Sequence, residues 1–190
     1  MPTVLITGAA SGIGRAASHR FAHAGWRCVL VDRNADALSA LVPTLRPTAE
    51  PHVSIPLDLT DADAIARLGE AVPALDALVN NAGMSDTSGT ALVEQTPEQQ
   101  ARLVALNLKA PAAMVQALAG RLGAGARIVN VSSGAGLRAI PWRGMYSPTK
   151  AGVITQSKAL ARAARTGASP CCARASCARS SSRASSLPGA

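Results

Sequence analysis

The chain has 190 residues, 48% of them hydrophobic but only 2% aromatic, which gives one domain, with or without a tail, around a core of Ala, Val, Leu and Ile. No run of about 18 apolar residues exists to cross a bilayer. The formal charge of +8 does not mark a nucleic-acid reader: Arg162, Arg165, Arg174, Arg179 and Arg183 fall in residues 160–190 with no acid and no aromatic ring to stack on a base, and 14 basic and 11 acidic residues precede them.

The N-terminus has no basic leader and enters an apolar strand at once, so a cytoplasmic protein is expected. Strands are expected near residues 3–7, 28–31, 53–57, 77–79 and 127–131, with helical patterns in the intervals. This alternation predicts an α/β fold, a doubly wound parallel sheet of about five strands. Thr60, before Asp61 and Asp63, is expected to open one helix. Thr96-Pro97-Glu98-Gln99 opens another with a capping box and a proline in its first turn, and that helix is expected to run unbroken from about 97 to 119. The last helix starts near 145. A ligand should lie at the carboxyl ends of the strands, where strand order reverses.

The first strand delivers Thr7-Gly8-Ala9-Ala10-Ser11-Gly12-Ile13-Gly14, a glycine-rich turn that opens a helix. Glycines allow a tight turn and close approach to a pyrophosphate, whose charge meets free N–H groups at the helix start. Asp32, at the end of the second strand, can accept hydrogen bonds from an adenosine ribose and would repel a 2'-phosphate. Arg15 and Arg33 pull the other way, since a guanidinium can meet that phosphate. The balance favours NAD over NADP. Asp58-Leu59 ends the third strand, where a carboxylate can take an adenine amino group or simply open the next helix. Asn80-Asn81-Ala82-Gly83 ends the fourth, where small residues admit close backbone contact.

The chain's single tyrosine, Tyr146, stands four residues before Lys150 and thirteen after Ser133. A spacing of four puts phenol and ammonium on one helix face. A free phenol titrates near ~10, so a base working near neutrality needs a cation beside it. Of the four cysteines, Cys28 lies in a strand and Cys171, Cys172 and Cys177 in the tail, at spacings that match neither a zinc site nor a disulfide framework.

With these motifs in this order, residues 1 to about 162 resemble the short-chain dehydrogenase/reductase family. The resemblance implies that Tyr146 is the general acid/base, that Lys150 binds the nicotinamide ribose and lowers the tyrosine pKa, and that Ser133 holds the substrate oxygen, with Ser132 supporting. Asn107, within Leu106-Asn107-Leu108, matches the asparagine of a water-linked proton relay. The cofactor would meet Thr7, Gly8, Ser11, Gly12, Ile13, Gly14, Asp32, Arg33, Asp58, Leu59, Asn81, Ala82, Gly83, Tyr146 and Lys150. The expected reaction is hydride transfer between NAD(H) and a small secondary alcohol or ketone, in a homo-oligomer joined through the helices that carry Asn107 and Lys150.

Family members continue with further strands, a Pro-Gly turn and a substrate lid, none of which is legible after about 163. The expectation is a domain over 1–163 and a basic Ala/Ser/Arg/Cys tail over 164–190, disordered from about Thr166, in a chain truncated or frameshifted at its C-terminus. The alternative is an inactive fragment that at most binds the adenosine half of the cofactor or a homologous subunit.

Overall fold

The computed structural model describes residues 1–85, 91–138, 140–166 and 174–180. Its elements in chain order are β1 (Thr3–Thr7), α1 (Gly12–His23), β2 (Arg27–Asp32), α2 (Ala35–Leu41), β3 (Val53–Pro56), α3 (Ala62–Ala71), β4 (Leu75–Asn80), α4 (Pro97–Val104), a π-helical turn (Ala105–Lys109), α5 (Ala110–Ala117), β5 (Leu122–Ser133), α6 (Tyr146–Thr166) and β6 (Arg174–Ser180). The sheet has the order β3-β2-β1-β4-β5-β6 and every pairing is parallel. Order reverses between β1 and β4, so the switch point lies where the glycine turn and Asn81 leave their strands.

The strands alternate between two cores. Leu5, Val29, Val31, Leu78 and Ile128 face one side, with Leu68, Met114 and Leu118. Val4, Ile6, Cys28, Leu30, Ala77 and Val79 face the other, with Ala22 and Leu38. Both faces of a parallel sheet are thereby covered, which is why its strands read as continuous apolar runs. Small residues bring the helices in close: a Cβ on Gly69 of α3 would stand 2.4 Å from the carbonyl oxygen of Ala117 in α5. Burial pushes the Cys28 thiol up to about 12, so it serves as packing rather than as a nucleophile.

β1 to β5 form the doubly wound parallel sheet of about five strands that the sequence predicts, and Arg174–Ser180, within the stretch expected to be a tail, pairs with β5 from Arg127 to Ser133 as a further strand at its edge. Sheet pairing uses backbone N–H and C=O groups and tolerates a segment with no apolar pattern, and the edge of β5 offers a full row of them. Residues 167–173 and 181–190 of that expected tail lie outside the described residues. The helix expected over 97–119 is interrupted by the π turn. Pro111 has no N–H to give the carbonyl of Asn107, so an α ladder cannot run through that point. The third helix is capped by Asp61, whose carboxylate accepts from Ala64 N at 2.9 Å, while the Thr60 hydroxyl turns back to Asp58. The capping box at Thr96 and Gln99 forms as the sequence predicts.

Candidate functional site

The glycine turn is locked to the end of β4 by side chain to backbone bonds. Thr7 Oγ1 accepts from the N–H groups of both Asn81 and Ala82 at 3.0 Å, and Asn81 Nδ2 donates to the carbonyls of Thr7 and Gly8 at 3.0 and 3.1 Å. Thr7 thus acts from behind the turn, its hydroxyl committed to the scaffold. Gly8 sits at φ 62° against Ala82 and Asn81, and a Cβ on Gly14 would lie 2.0 Å from the Gly8 carbonyl oxygen. Gly12, at φ 49°, faces open space, and Ser11 precedes α1 without a side-chain cap. The turn therefore leaves a bare helix start with room above it, which suits a pyrophosphate.

Asp32 bridges the end of β2 to this turn. One carboxylate oxygen accepts from Ala10 N and the other from Asn34 N, both at 3.0 Å. A cavity of about 470 Å³ opens beside it, lined among others by Gly8, Ser11, Asp32, Arg33, Asp58, Leu59 and Gly83. The backbone N–H of Thr60, and then its hydroxyl, hold the Asp58 carboxyl below the usual carboxylate range. A second cavity, of about 280 Å³, adds Gly12, Ile13, Asn81, Ser132, Tyr146 and Lys150. The two share Gly8, Ser11, Ala82, Gly83 and Met84, so they form one cleft that runs over the glycine turn. Its two compartments and glycine floor match the division of a dinucleotide into an adenosine and a nicotinamide half, and the residues present fit that group.

At the far end Lys150, 5% exposed, donates from Nζ to the Val131 carbonyl at 3.1 Å. Its Nζ lies 5.9 Å from the centroid of the Tyr146 ring. Ser132 Oγ donates to the Lys150 carbonyl at 2.7 Å and fixes the start of α6 on β5. Ser133 ends β5 with its Oγ accepting from Ala135 N at 3.2 Å, and of the two serines Ser132 lines the smaller cavity. Asn107, fully buried in the π turn, pairs with both backbone groups of Met84 at 2.8 Å and donates to Thr149 Oγ1 at 3.3 Å. Its Oδ1 and Lys150 Nζ converge above Gly83, where a Cβ would lie 3.0 and 3.2 Å from them. Glycine is required there by its neighbours rather than by its backbone angle.

Thr7, Gly14, Asn107 and Ser133 line neither cavity, Ser133 standing next to the cavity-lining Ser132 at the end of β5, and the remaining expected residues line one or both. The sequence reading missed Met84, Ser85, Ala101, Arg102 and Leu106 on the wall and Arg143 beside it. Arg143 carried no helical signal, since α6 begins only at Tyr146 and Gly144 between them has a positive φ. Arg102 and Leu106 carried none beyond lying on a helix.

The short chain dehydrogenase family model matches residues 2–168. The chain belongs to this family. Short-chain dehydrogenases similar to it include sorbitol dehydrogenase of Cereibacter sphaeroides, 39% identical over 167 residues that cover 83% of this chain and 63% of that protein. Sulfoacetaldehyde reductase of Chromohalobacter salexigens is 39% identical over 160 residues, 78% of this chain and 60% of that protein. The chain spans about three-fifths of the length of these curated relatives. Among solved structures, the bulky-bulky ketone specific alcohol dehydrogenase of Comamonas testosteroni superposes with a TM-score of 0.81 at 32% identity, covering 100% of this chain and 76% of that one.

Proposed function

We propose that the protein is an NAD(P)-dependent oxidoreductase that interconverts a small secondary alcohol and its ketone, with Tyr146 as general acid/base and NAD as the favoured cofactor. The observation that carries this reading is one cleft with a glycine turn and Asp32 at one end and Tyr146 and Lys150 at the other. A bound nicotinamide supplies the hydride acceptor or donor. In alcohol oxidation the Tyr146 phenol oxygen, ionised, takes the hydroxyl proton, and in reduction it returns it. Lys150 puts a positive charge near that ring and is itself steadied by the Val131 carbonyl. Ser133 orients the substrate oxygen, and Asn107 holds Met84 and Thr149 so that Gly83 and Lys150 keep their spacing. Names of similar proteins support alcohols, polyols and carbonyl compounds as the substrate range.

The NAD preference rests on Asp32, whose carboxylate would stand against a 2'-phosphate. Titrations of NADH and NADPH fluorescence test it: tighter NADH binding is expected, and Asp32→Ala should narrow the gap about tenfold. Tighter NADPH binding by the parent protein overturns the preference. NADH formation with a panel of secondary alcohols and polyols tests the activity. Cofactor binding without turnover of any of them would reduce the protein to a dinucleotide-binding unit.

A further inference from the structure

Among the described residues the large apolar side chains left exposed are Met1, at the chain's first position, and Ile13, Leu92, Val93, Leu137, Ile140 and Trp142. Scattered singly over a surface, such residues would need no explanation. These gather. Ile13 lines the smaller cavity together with Tyr146 and Lys150. Leu92 and Val93 stand just before Gln95, and Leu137, Ile140 and Trp142 belong to the segment between β5 and α6. Gln95 joins the two segments: its amide packs where a Cβ on Gly144 would come within 2.3 Å, and its Oε1 accepts from Met145 N at 2.7 Å. The exposed apolar side chains therefore lie on segments that meet beside Tyr146. The chain's aromatic rings divide in the same way. Phe21 and Trp26 pack edge to face with centroids 5.2 Å apart against the core that holds Ala22 and Leu38, while Trp142 stands four residues before Tyr146.

Trp142 is strained as well as exposed. At φ 62° it is the only non-glycine residue with positive φ among the described residues, a conformation that a bulky side chain adopts at a cost and that glycine adopts freely. Burial of the indole does not offset that cost, since the residue is 62% exposed. The turn is instead held from outside by Gln95, through Gly144 and Met145. A strained backbone that carries an exposed aromatic ring, four residues from a reactive phenol, presents that ring to something other than the core.

We propose that Trp142, with the apolar side chains on the segments around it, receives a hydrocarbon arm of the substrate, an aryl or alkyl group on one side of the carbon that is oxidised or reduced. This inference rests on Tyr146 marking the reacting carbon. The substrate is then a ketone or secondary alcohol with an apolar substituent rather than a polyol, whose hydroxyls would give up water against Leu137 and Ile140, side chains with no hydrogen-bonding atom. The reaction at the carbon is unchanged. Burial of the arm holds the carbonyl group in place against Tyr146, so its contribution appears in kcat/KM. A second copy of this chain seated on the same side chains would instead leave turnover indifferent to the length of the arm.

The full chain is assayed with NADH and methyl ketones of growing hydrocarbon arm, methyl ethyl ketone, methyl butyl ketone and benzylacetone, against dihydroxyacetone. The expected kcat/KM rises about two- to fourfold for each methylene added and is about tenfold lower for dihydroxyacetone than for methyl butyl ketone. Trp142→Gly should flatten the series and yet melt at or above the temperature of the parent, because glycine takes φ 62° without strain. Trp142→Phe keeps an apolar ring and should retain most of the slope. A second measurement needs no turnover: benzylacetone added to the protein with NAD should change tryptophan emission saturably, and Trp142→Gly should remove the change. A flat series in the parent, a preference for dihydroxyacetone, or a slope that survives Trp142→Gly each overturns the proposal. The parent protein alone decides the first two outcomes, so a poorly folding variant does not shelter it. A saturable emission change that requires Trp142, without turnover of any ketone, would sink the Tyr146 reading and leave the apolar site standing. Equal turnover of dihydroxyacetone and the ketones would do the reverse, and neither turnover nor an emission change would sink both.

Discussion

The turn after β1 and the loop between β5 and α6 flank one cleft but are built in different ways. The first is fixed by what is missing. Gly8 and Gly14 lack the Cβ atoms that would strike Ala82, Asn81 and the Gly8 carbonyl, and Thr7 and Asn81 tie the backbone down within a few ångströms. The second is fixed by what is present: Gln95 reaching in from before α4, a left-handed Trp142, Arg143 bonded to Ser85, and Tyr146 one turn from Lys150. A cofactor shared by many enzymes can be met by backbone. A particular substrate has to be met by side chains, and those sit on the other wall.

If that contrast holds, substitutions on the two walls should fail differently. Tyr146→Phe has the largest expected effect, a loss of turnover on the order of 10³-fold, or about 4 kcal/mol of transition-state free energy, while NADH affinity stays within about twofold. Near-normal turnover would remove Tyr146 from the chemistry. On the opposite wall Gly14→Ala should lower stability by about 2 to 3 kcal/mol, because its Cβ and the Gly8 carbonyl cannot share one place. Thermal melts should show the midpoint falling by several degrees and cofactor binding falling with it. A variant that melts like the parent would mean that the turn yields more easily than its contacts imply.

Asn107→Leu lies between the walls. It strips partners from both backbone groups of Met84 and should cost about 1 to 3 kcal/mol in urea unfolding, with NADH binding weakened because Met84 lines both compartments. Unaltered stability would make the asparagine dispensable to the scaffold. The smallest effect is expected at Asp58. Its folded pKa is lowered, so what its bonds to Thr60 contribute is present above the ordinary carboxylate value, near ~4, and is lost as pH falls through the lower folded value. The difference in melting temperature between the parent and Asp58→Asn should be level above the ordinary carboxylate range and close toward zero as pH falls through the lower folded value. A difference that grows in acid would reverse the sign of that argument.

Much of this was legible before the structure because it is local. The apolar runs of β1 to β5, the Thr96 capping box and the Tyr146 to Lys150 spacing each express a rule that acts over four residues or fewer. What escaped depends on partners distant in sequence. Arg174–Ser180 has no strand pattern of its own and is a strand because β5 offers it an edge. Arg102 and Met84 reach the cleft because α4 and β4 bring them there. The competition between Thr60 and Asp61 for the cap of α3 turned on Asp58 holding the threonine hydroxyl. Pro111 is the exception: its missing N–H was readable four residues from Asn107, and the helix was nonetheless expected to run through it.

The π turn at Ala105–Lys109 makes this helix sensitive to codon loss in an uncommon way. A π turn holds one residue more than an α turn, so deleting one residue there lets α4 and α5 keep their faces, although Pro111 still leaves one carbonyl of the ladder without an N–H. The helix would gain regularity, yet Asn107 would lose its stance against Met84 and Thr149. An in-frame loss of three nucleotides would therefore keep the course of the helix and give up the bonds that hold Met84, so that stability and the shape of the cleft fall together.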